Sequence, residues 1–177
     1  MIPVDNIRHA LTTDIPAIAR VHLDSSKIAY RDILPPTVLE GLLLAGRIEL
    51  WETRFSGVGP LGRLWVQDAG AEVIGFALCD VGEDDGPSRP ACELKSFYFT
   101  PDYWGAGLGA GLLAHVIADF KARAFNSMIL WTISLNARAR RFYERQGFSC
   151  DGVTRLTSRR ESGQPLEYEE IRYSRRL

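Results

Sequence analysis

Cysteine and histidine are scarce in this sequence. Its 177 residues include only three of each: Cys79, Cys92 and Cys150, and His9, His22 and His115. They are widely separated, and none forms the CxxC or paired-histidine spacing of a zinc site. An odd number of distant cysteines also argues against a disulfide framework, so we expect reduced thiols and no metal.

A strong excess of one charge is also missing. The formal net charge is -1 at pH 7, which argues against general binding to nucleic acid. No apolar run is long enough to cross a bilayer, and the first twenty residues lack the basic end and apolar stretch of a signal peptide. We therefore expect a cytoplasmic protein with no membrane partner, and the length predicts a single domain over residues 1–177.

Two helices and a hairpin are predicted in the first half of the chain. N-cap residues precede a helix from about Asp14 to Ser25. A second helix follows Pro35-Pro36 and ends in the glycine-rich stretch 56–62. Two strands within residues 63–80, joined by a short turn that contains glycine, are typical of an antiparallel hairpin.

The second half alternates strands with helices. After a polar loop at 82–90, the pattern predicts a strand over 92–100, a helix to about Ala124, a strand over 127–134, a helix from Asn136 to a left-handed C-cap at Gly147, and two strands around the turn 161–165. This order indicates an α/β fold with a mixed, mostly antiparallel central sheet flanked by helices on both faces.

The most informative motif is a glycine-rich turn between a strand and an amphipathic helix. Gly105, Gly107 and Gly109 alternate there. Glycine permits positive φ and close approach of the main chain, and the helix start adds a positive dipole end, so the turn is suited to a pyrophosphate. The same stretch satisfies the dinucleotide pattern GxGxxA, but the next strand lacks the acidic residue that holds a ribose. A plain connecting turn explains one glycine better than three.

The stretch YFTPDYW, then GAGLGAGLL, a strand and LNARARRFYERQGF, resembles the GNAT superfamily of N-acetyltransferases, chiefly over residues 73–148. The resemblance implies the acyl-CoA N-acyltransferase fold, acetyl-CoA as cosubstrate, and transfer of its acetyl group to a primary amine on a small molecule or peptide. The family's phosphate-binding pattern begins at Trp104, where Arg or Gln is usual, which puts one side-chain contact in doubt.

The resemblance also implies the cofactor contacts. Main-chain groups of two segments would hold acetyl-CoA: Phe97, Tyr98 and Phe99 along the pantetheine arm, and Trp104, Gly105, Ala106, Gly107, Leu108 and Gly109 at the pyrophosphate. Asn136 would contact the arm and Tyr143 would lie beside the sulfur, seven residues apart on one face of a helix. Asn136 also fits an ordinary N-cap, and Tyr143 fits an ordinary core residue.

The expected chemistry is direct attack in a ternary complex. A protonated amine must lose its proton before attack. The resemblance implies Glu93 as the base, because related enzymes often have one at this place on the strand, with Asp80 or a chain of waters as alternatives. A main-chain N–H near Phe99 would stabilise the developing negative charge, and Tyr143 would donate a proton to the leaving thiolate.

Three aromatic residues are predicted to shape the acceptor site: Tyr30, Trp51 and Tyr168. They do not identify the amine. Two other functions stay open on the sequence alone, a non-catalytic sensor of acyl-CoA and a nicotinamide-dependent reductase. A homodimer formed through the C-terminal strands is a further prediction.

Overall fold

The computed structural model describes residues 6–81, 91–161 and 163–177. Seven strands lie in these ranges: β1 (Ile7–His9), β2 (Arg63–Ala69), β3 (Glu72–Val81), β4 (Ala91–Phe99), β5 (Ser127–Ile133), β6 (Ser149–Glu161) and β7 (Gln164–Arg176). They form one sheet in the order β1-β2-β3-β4-β5-β7-β6. Neighbouring strands are antiparallel except β4 and β5, which are parallel.

Five helices and two short 3-10 turns connect the strands. The helices are α1 (Ile15–Ala29), α2 (Pro36–Glu40), α3 (Leu44–Ser56), α4 (Leu108–Ala122) and α5 (Ala137–Arg145), and the 3-10 turns are Thr12–Asp14 and Pro101–Tyr103. The described part of the chain contains no helix that is both long enough and apolar enough to cross a membrane.

Alternation along the strands divides their side chains between two apolar cores. Trp65 and Ala77 lie in one core with the buried face of α4, whereas Val66 and Phe76 lie in the other with α1 and α3. Successive side chains of a strand point to opposite faces, so one sheet fills both cores. The predicted α/β fold, with a mixed, mostly antiparallel sheet and helices on both faces, is confirmed.

The parallel strands β4 and β5 pair only at their first residues. Their ladder joins 91–93 to 127–129 and then stops. Beyond Glu93, β4 continues to Phe99 beside β3 alone, with an extra residue at Lys95 that shifts the β3–β4 register. The two strands therefore open a cleft within the sheet.

Three local predictions differ from the structure. The short strand β1 was not predicted, because three residues carry too little pattern; Arg8 anchors it to Asp14 and Asp68 at 2.7 Å each. Helix α1 extends beyond Ser25 to Ala29, since the buried Ser25 hydroxyl donates to the Phe99 carbonyl and this tertiary contact outweighs the modest helix propensity of serine.

The predicted second helix is two helices. Leu43 is extended, with φ -114° and ψ 148°, and separates α2 from α3. Leu42 beside it is buried in a core with α2 residues, which favours the break. The loop predicted at 82–90 lies outside the described residues.

Candidate active site

The open edge of β4 offers main-chain groups to the cleft. Thr100 N–H donates to the Ile74 carbonyl at 2.8 Å, so this pair of residues hydrogen-bonds across β3 and β4. In an antiparallel ladder such pairs alternate with pairs whose groups point away. By the register, Phe97 and Phe99 therefore point their N–H and C=O groups into the cleft, whereas those of Tyr98 face β3. This corrects the prediction that the main chain of Tyr98 contacts the cofactor arm.

The glycine-rich turn is a continuous set of hydrogen-bond donors. Gly105 and Gly107 have φ of +82°, a left-handed conformation that favours glycine, and Gly107 is the N-cap of α4. The N–H groups from Gly105 to Gly109 have no acceptor within the described ranges. Five consecutive unpaired donors at the positive end of a fifteen-residue helix have an arrangement that suits an anion.

Trp104 begins this turn, and its side chain makes contacts within the protein. Its indole Nε1–H donates to the Phe99 carbonyl at 2.8 Å, the same oxygen that accepts from Ser25. The guanidinium carbon of Arg138 lies 3.3 Å from the centroid of the Trp104 ring. Arg138 lines the same cavity and brings a side-chain donor close to the position where Arg or Gln is usual.

Helix α5 places Asn136 and Tyr143 on the cleft wall. The Asn136 side-chain oxygen accepts from Ala139 N–H at 3.1 Å, so it caps the helix, and its amide group remains for another contact. The Tyr143 side chain is 8% exposed and its phenol has no hydrogen-bond partner among the described residues. Burial raises the pKa of Tyr143 above its usual value, so the phenol keeps its proton near neutral pH.

A single cavity of about 1090 Å³ joins these groups to a second wall made by α1, α3 and the β6–β7 hairpin. Tyr30 and Tyr98 meet there with their phenol oxygens 3.2 Å apart, and Tyr168 lines the same wall. Trp51 is 0% exposed and does not line the cavity. The prediction that Trp51 shapes the acceptor site by direct contact is therefore corrected: its indole donates to His22 Nδ1 at 3.0 Å, and it is His22 that lines the cavity.

Basic side chains dominate this second wall. Two of the described residues that line this wall are carboxylates, Glu161 and Glu170. The basic residues that line it are more numerous: Arg47, Arg54, Lys95, Arg155, Arg159 and Arg160. Sequence reasoning missed this set because its members come from α3, β4 and β6, which are far apart along the chain. No local spacing relates them.

The predicted bases do not line the cavity. Glu93 lies in the paired section of β4, opposite Asp80 and Ile129. Asp80 accepts from Gly59 N–H at 3.1 Å and Val81 N–H at 2.8 Å, and thereby stabilises the loop that follows α3. Neither carboxylate is placed for direct contact with an amine in the cavity.

The residues that the structure describes include no group of side chains that could bind a metal ion. No three side chains of His, Cys, Asp or Glu converge there. The three thiols are free; Cys79 and Cys92 are buried, Cys150 is exposed, and none lines the cavity.

Donors at a helix start, an open strand edge and a buried phenol on one cavity define a site for a phosphate-bearing acyl carrier. The model of the acetyltransferase (GNAT) family matches residues 31–148. The chain belongs to this family and is an acyltransferase that uses acetyl-CoA as cosubstrate.

Relatives in sequence and in structure agree with this assignment. A probable N-acetyltransferase of Mycobacterium tuberculosis is 28% identical over 152 residues, covering 84% of this chain and 82% of the relative. The uncharacterized N-acetyltransferase YuaI of Bacillus subtilis is 30% identical over 135 residues, covering 73% and 72%. The PaiA N-acetyltransferase of Thermoplasma acidophilum, solved with coenzyme A, superposes with a TM-score of 0.72 at 17% identity, covering 97% and 98%.

Proposed function

We propose that this protein moves the acetyl group of acetyl-CoA directly to a primary amine, with both substrates bound in the one cavity. The observation that carries the proposal is the continuity of this cavity, which includes the glycine-rich turn, the Tyr143 phenol and the wall of α1 and α3. Direct transfer is favoured over a covalent acyl-enzyme because the cysteines do not line the cavity and the Ser25 hydroxyl donates to the Phe99 carbonyl.

The residues present fit the cofactor. The unpaired N–H groups from Gly105 to Gly109 suit the pyrophosphate. The outward main-chain groups of Phe97 and the outward N–H of Phe99 suit an extended arm that adds to β4 like a strand, whereas the Phe99 carbonyl already accepts from Ser25 and Trp104. The Asn136 amide supplies a further donor beside this arm. Arg138, held against Trp104, supplies a side-chain donor in place of the Arg or Gln that is usual at position 104.

Acetyl-CoA supplies the reactive thioester when bound. In this proposal Tyr143 holds a proton for the leaving sulfur, and its raised pKa keeps that proton available through neutral pH. The Phe99 N–H points to the open side of β4 and is the nearby donor for negative charge that develops on the carbonyl oxygen. The sheet fixes its direction before the reaction begins.

A group other than Tyr143 must remove the proton from the amine. His22 is unsuitable because its Nδ1 already accepts the Trp51 N–H, and burial together with Arg47, Arg54 and Arg159 lowers its pKa well below the usual value. We retain Glu93 as the base, acting through an intervening water because it does not line the cavity. Substitution Glu93→Gln is expected to shift the acid limb of the kcat/KM profile; an unchanged profile would assign the proton to solvent.

Ligand binding and thiol release test the proposed function together. Thermal unfolding in the presence of acetyl-CoA, CoA or NADPH is expected to show stabilisation by the first two alone, since a ligand at about 100 times its Kd adds about 2.7 kcal/mol. A panel of primary amines is then followed by release of free CoA thiol. Stabilisation without thiol release from any amine contradicts transfer and favours the sensor, and stabilisation by NADPH alone overturns the acetyl-CoA site.

A further inference from the structure

Three guanidinium groups and one carboxylate lie on the second wall of the cavity, the wall made by α1, α3 and the β6–β7 hairpin. Arg47 and Arg159 each place a nitrogen 3.2 Å from a different oxygen of Glu161. Arg54 donates to the Ser96 hydroxyl at 3.2 Å and has no carboxylate partner in the described part of the chain. The group therefore carries an excess of positive charge although the whole protein has a formal net charge of -1.

Two polar atoms on the same wall are buried without a hydrogen bond. They are Nε of Arg47, whose side chain is 7% exposed, and the hydroxyl oxygen of Ser26, which is 2% exposed; both residues line the cavity. An unsatisfied buried donor is costly, and native structures leave few of them. Oxygen atoms of a ligand in the cavity could supply the acceptor that Arg47 Nε lacks and the partner that the Ser26 hydroxyl lacks.

The electrostatic surroundings agree with this charge. Desolvation lowers the pKa of Arg54, and the neighbouring guanidiniums of Arg159 and Arg47 lower it further, against the opposite effect of Tyr98 and Glu161. These same three arginines contribute to the lowered pKa of His22. Such a wall repels a second positive charge on a ligand and attracts an anion.

This positive wall is separate from the cofactor donors. Ser96 and Tyr98 lie on the β4 face that packs against α1 and α3, whereas Phe97 and Phe99 lie on the face toward α4 and the glycine-rich turn. Alternate residues of a strand face opposite ways. The arginines are therefore on the side left for the acceptor once the cofactor occupies the turn.

We infer that the acceptor is a small amine that also carries an anionic oxygen group, a carboxylate or a phosphate, bound by Arg54, Arg47 and Ser26. This inference rests on the proposed function. The amino group of this acceptor lies toward the part of the cavity proposed for the cofactor. The anion of the acceptor lies against the guanidiniums, which present paired donors to planar carboxylates and to phosphates. Polyamines, which carry further positive charge, are disfavoured by the same wall.

Matched substrates give the first experiment. Amino acids are compared with their amides, and aminoalkyl phosphates with the corresponding amino alcohols, in acetyl-transfer assays and in calorimetry with the CoA-loaded protein. The amide's amine is less basic than that of the acid, so more of it is deprotonated and a preference for the acid is not an effect of amine reactivity. We expect acids or phosphates to bind roughly 10- to 100-fold more tightly than their neutral partners, and the two anion series distinguish carboxylate from phosphate.

Variants locate the anion. Arg54→Gln is expected to raise the KM of the preferred anionic amine roughly 10- to 100-fold while the Kd of CoA stays constant. Arg54→Lys restores part of the loss, and Ser26→Ala weakens the same substrate without removing a charge. Arg20→Gln, an exposed arginine of α1 outside the cavity, is the control.

The outcomes separate this inference from the proposed function. Equal use of charged and neutral amines, or a preference for polyamines, overturns the anionic acceptor while leaving acetyl transfer intact. If Arg54→Gln raises the KM of acids and of amides by the same factor, the anionic acceptor is overturned as well. Binding of CoA with no transfer to any amine contradicts the proposed function, and in that case calorimetry still decides whether anionic amines bind at Arg54.

Discussion

The two halves of the cavity are built in different ways. The half that we propose for the cofactor, here called the cofactor half, consists mainly of main-chain donors from consecutive residues, Gly105 to Gly109, and of the β4 edge. The half that we propose for the acceptor, here called the acceptor half, consists of side chains from distant segments, such as Ser26, Arg54 and Arg159. Main-chain donors depend on conformation and only weakly on residue identity, so the first half reports what the family shares. The second half is where a sequence can select its own amine.

The largest expected effect tests the chemistry between the halves. We expect Tyr143→Phe to lower kcat by roughly 100-fold or more, as is usual for loss of a general acid, with nearly unchanged CoA binding and stability because the phenol has no partner among the described residues. Tyr173→Phe is the control, since its hydroxyl bonds Arg140 and Glu144 and its loss should affect stability more than kcat. A Tyr143→Phe enzyme with full kcat would remove this residue from the reaction.

The next prediction probes the main-chain character of the cofactor half. Gly105→Ala and Gly152→Ala introduce the same strain, because both glycines have φ of +82° and open space around the Cβ position. Each is expected to destabilise by about 1–2 kcal/mol. Only Gly105→Ala should also raise the Kd of CoA, roughly tenfold, as measured by calorimetry. Equal CoA binding by the two variants would show that the turn does not hold the cofactor.

A third prediction concerns His22, whose pKa is lowered first by burial and then by the charge of Arg47, Arg54 and Arg159. The folded-state pKa of His22 is lowered, so as the pH falls below about 6.5 the unfolded chain takes up this proton first and stability is lost. The loss approaches about 1.4 kcal/mol per pH unit for one group. Denaturant unfolding from pH 7.5 to 5 should show a flatter dependence for His22→Gln than for the wild type. His115→Gln, at an exposed site, should match the wild type.

The smallest expected effect concerns the one side-chain cation assigned to the cofactor half. Arg138→Gln should raise the Kd of CoA only about two- to fivefold, and less at high salt, because the guanidinium is exposed. Arg141→Gln is the matched control from the same helix, exposed and outside the cavity. If Arg138→Gln raised the Kd of CoA as much as Gly105→Ala does, side chains rather than the main chain would provide most of the cofactor affinity of this half.

The same contrast explains how much the sequence could predict. The glycine-rich turn and the Asn136 cap follow from local conformational preferences, so their positions could be predicted closely. The base was placed less well, because the position of Glu93 relative to the cleft depends on where β4 and β5 separate. Trp51 was predicted on the wall but fills the core, since the spacing that marks an aromatic face does not say what covers it.

The acceptor wall could not be predicted, because it forms only when α3, β4 and β6 meet. The break between α2 and α3 has a similar origin: Leu42 lies between the two helices, and its core includes residues that are distant in sequence, such as Ile133 and Leu166. Predictions from the local sequence pattern therefore succeed where a single segment forms the feature, and they fail where several distant segments form it together.

The position of β7 has a consequence for biosynthesis. This strand is the last in sequence, yet it lies between β5 and β6 and pairs with both. Strand β6 leaves the ribosome earlier but cannot join the sheet until residues 164–176 have followed it. Because Arg159 and Glu161 belong to β6, the nascent chain can shape its cofactor turn well before its acceptor wall, which is completed only after the final strand is inserted.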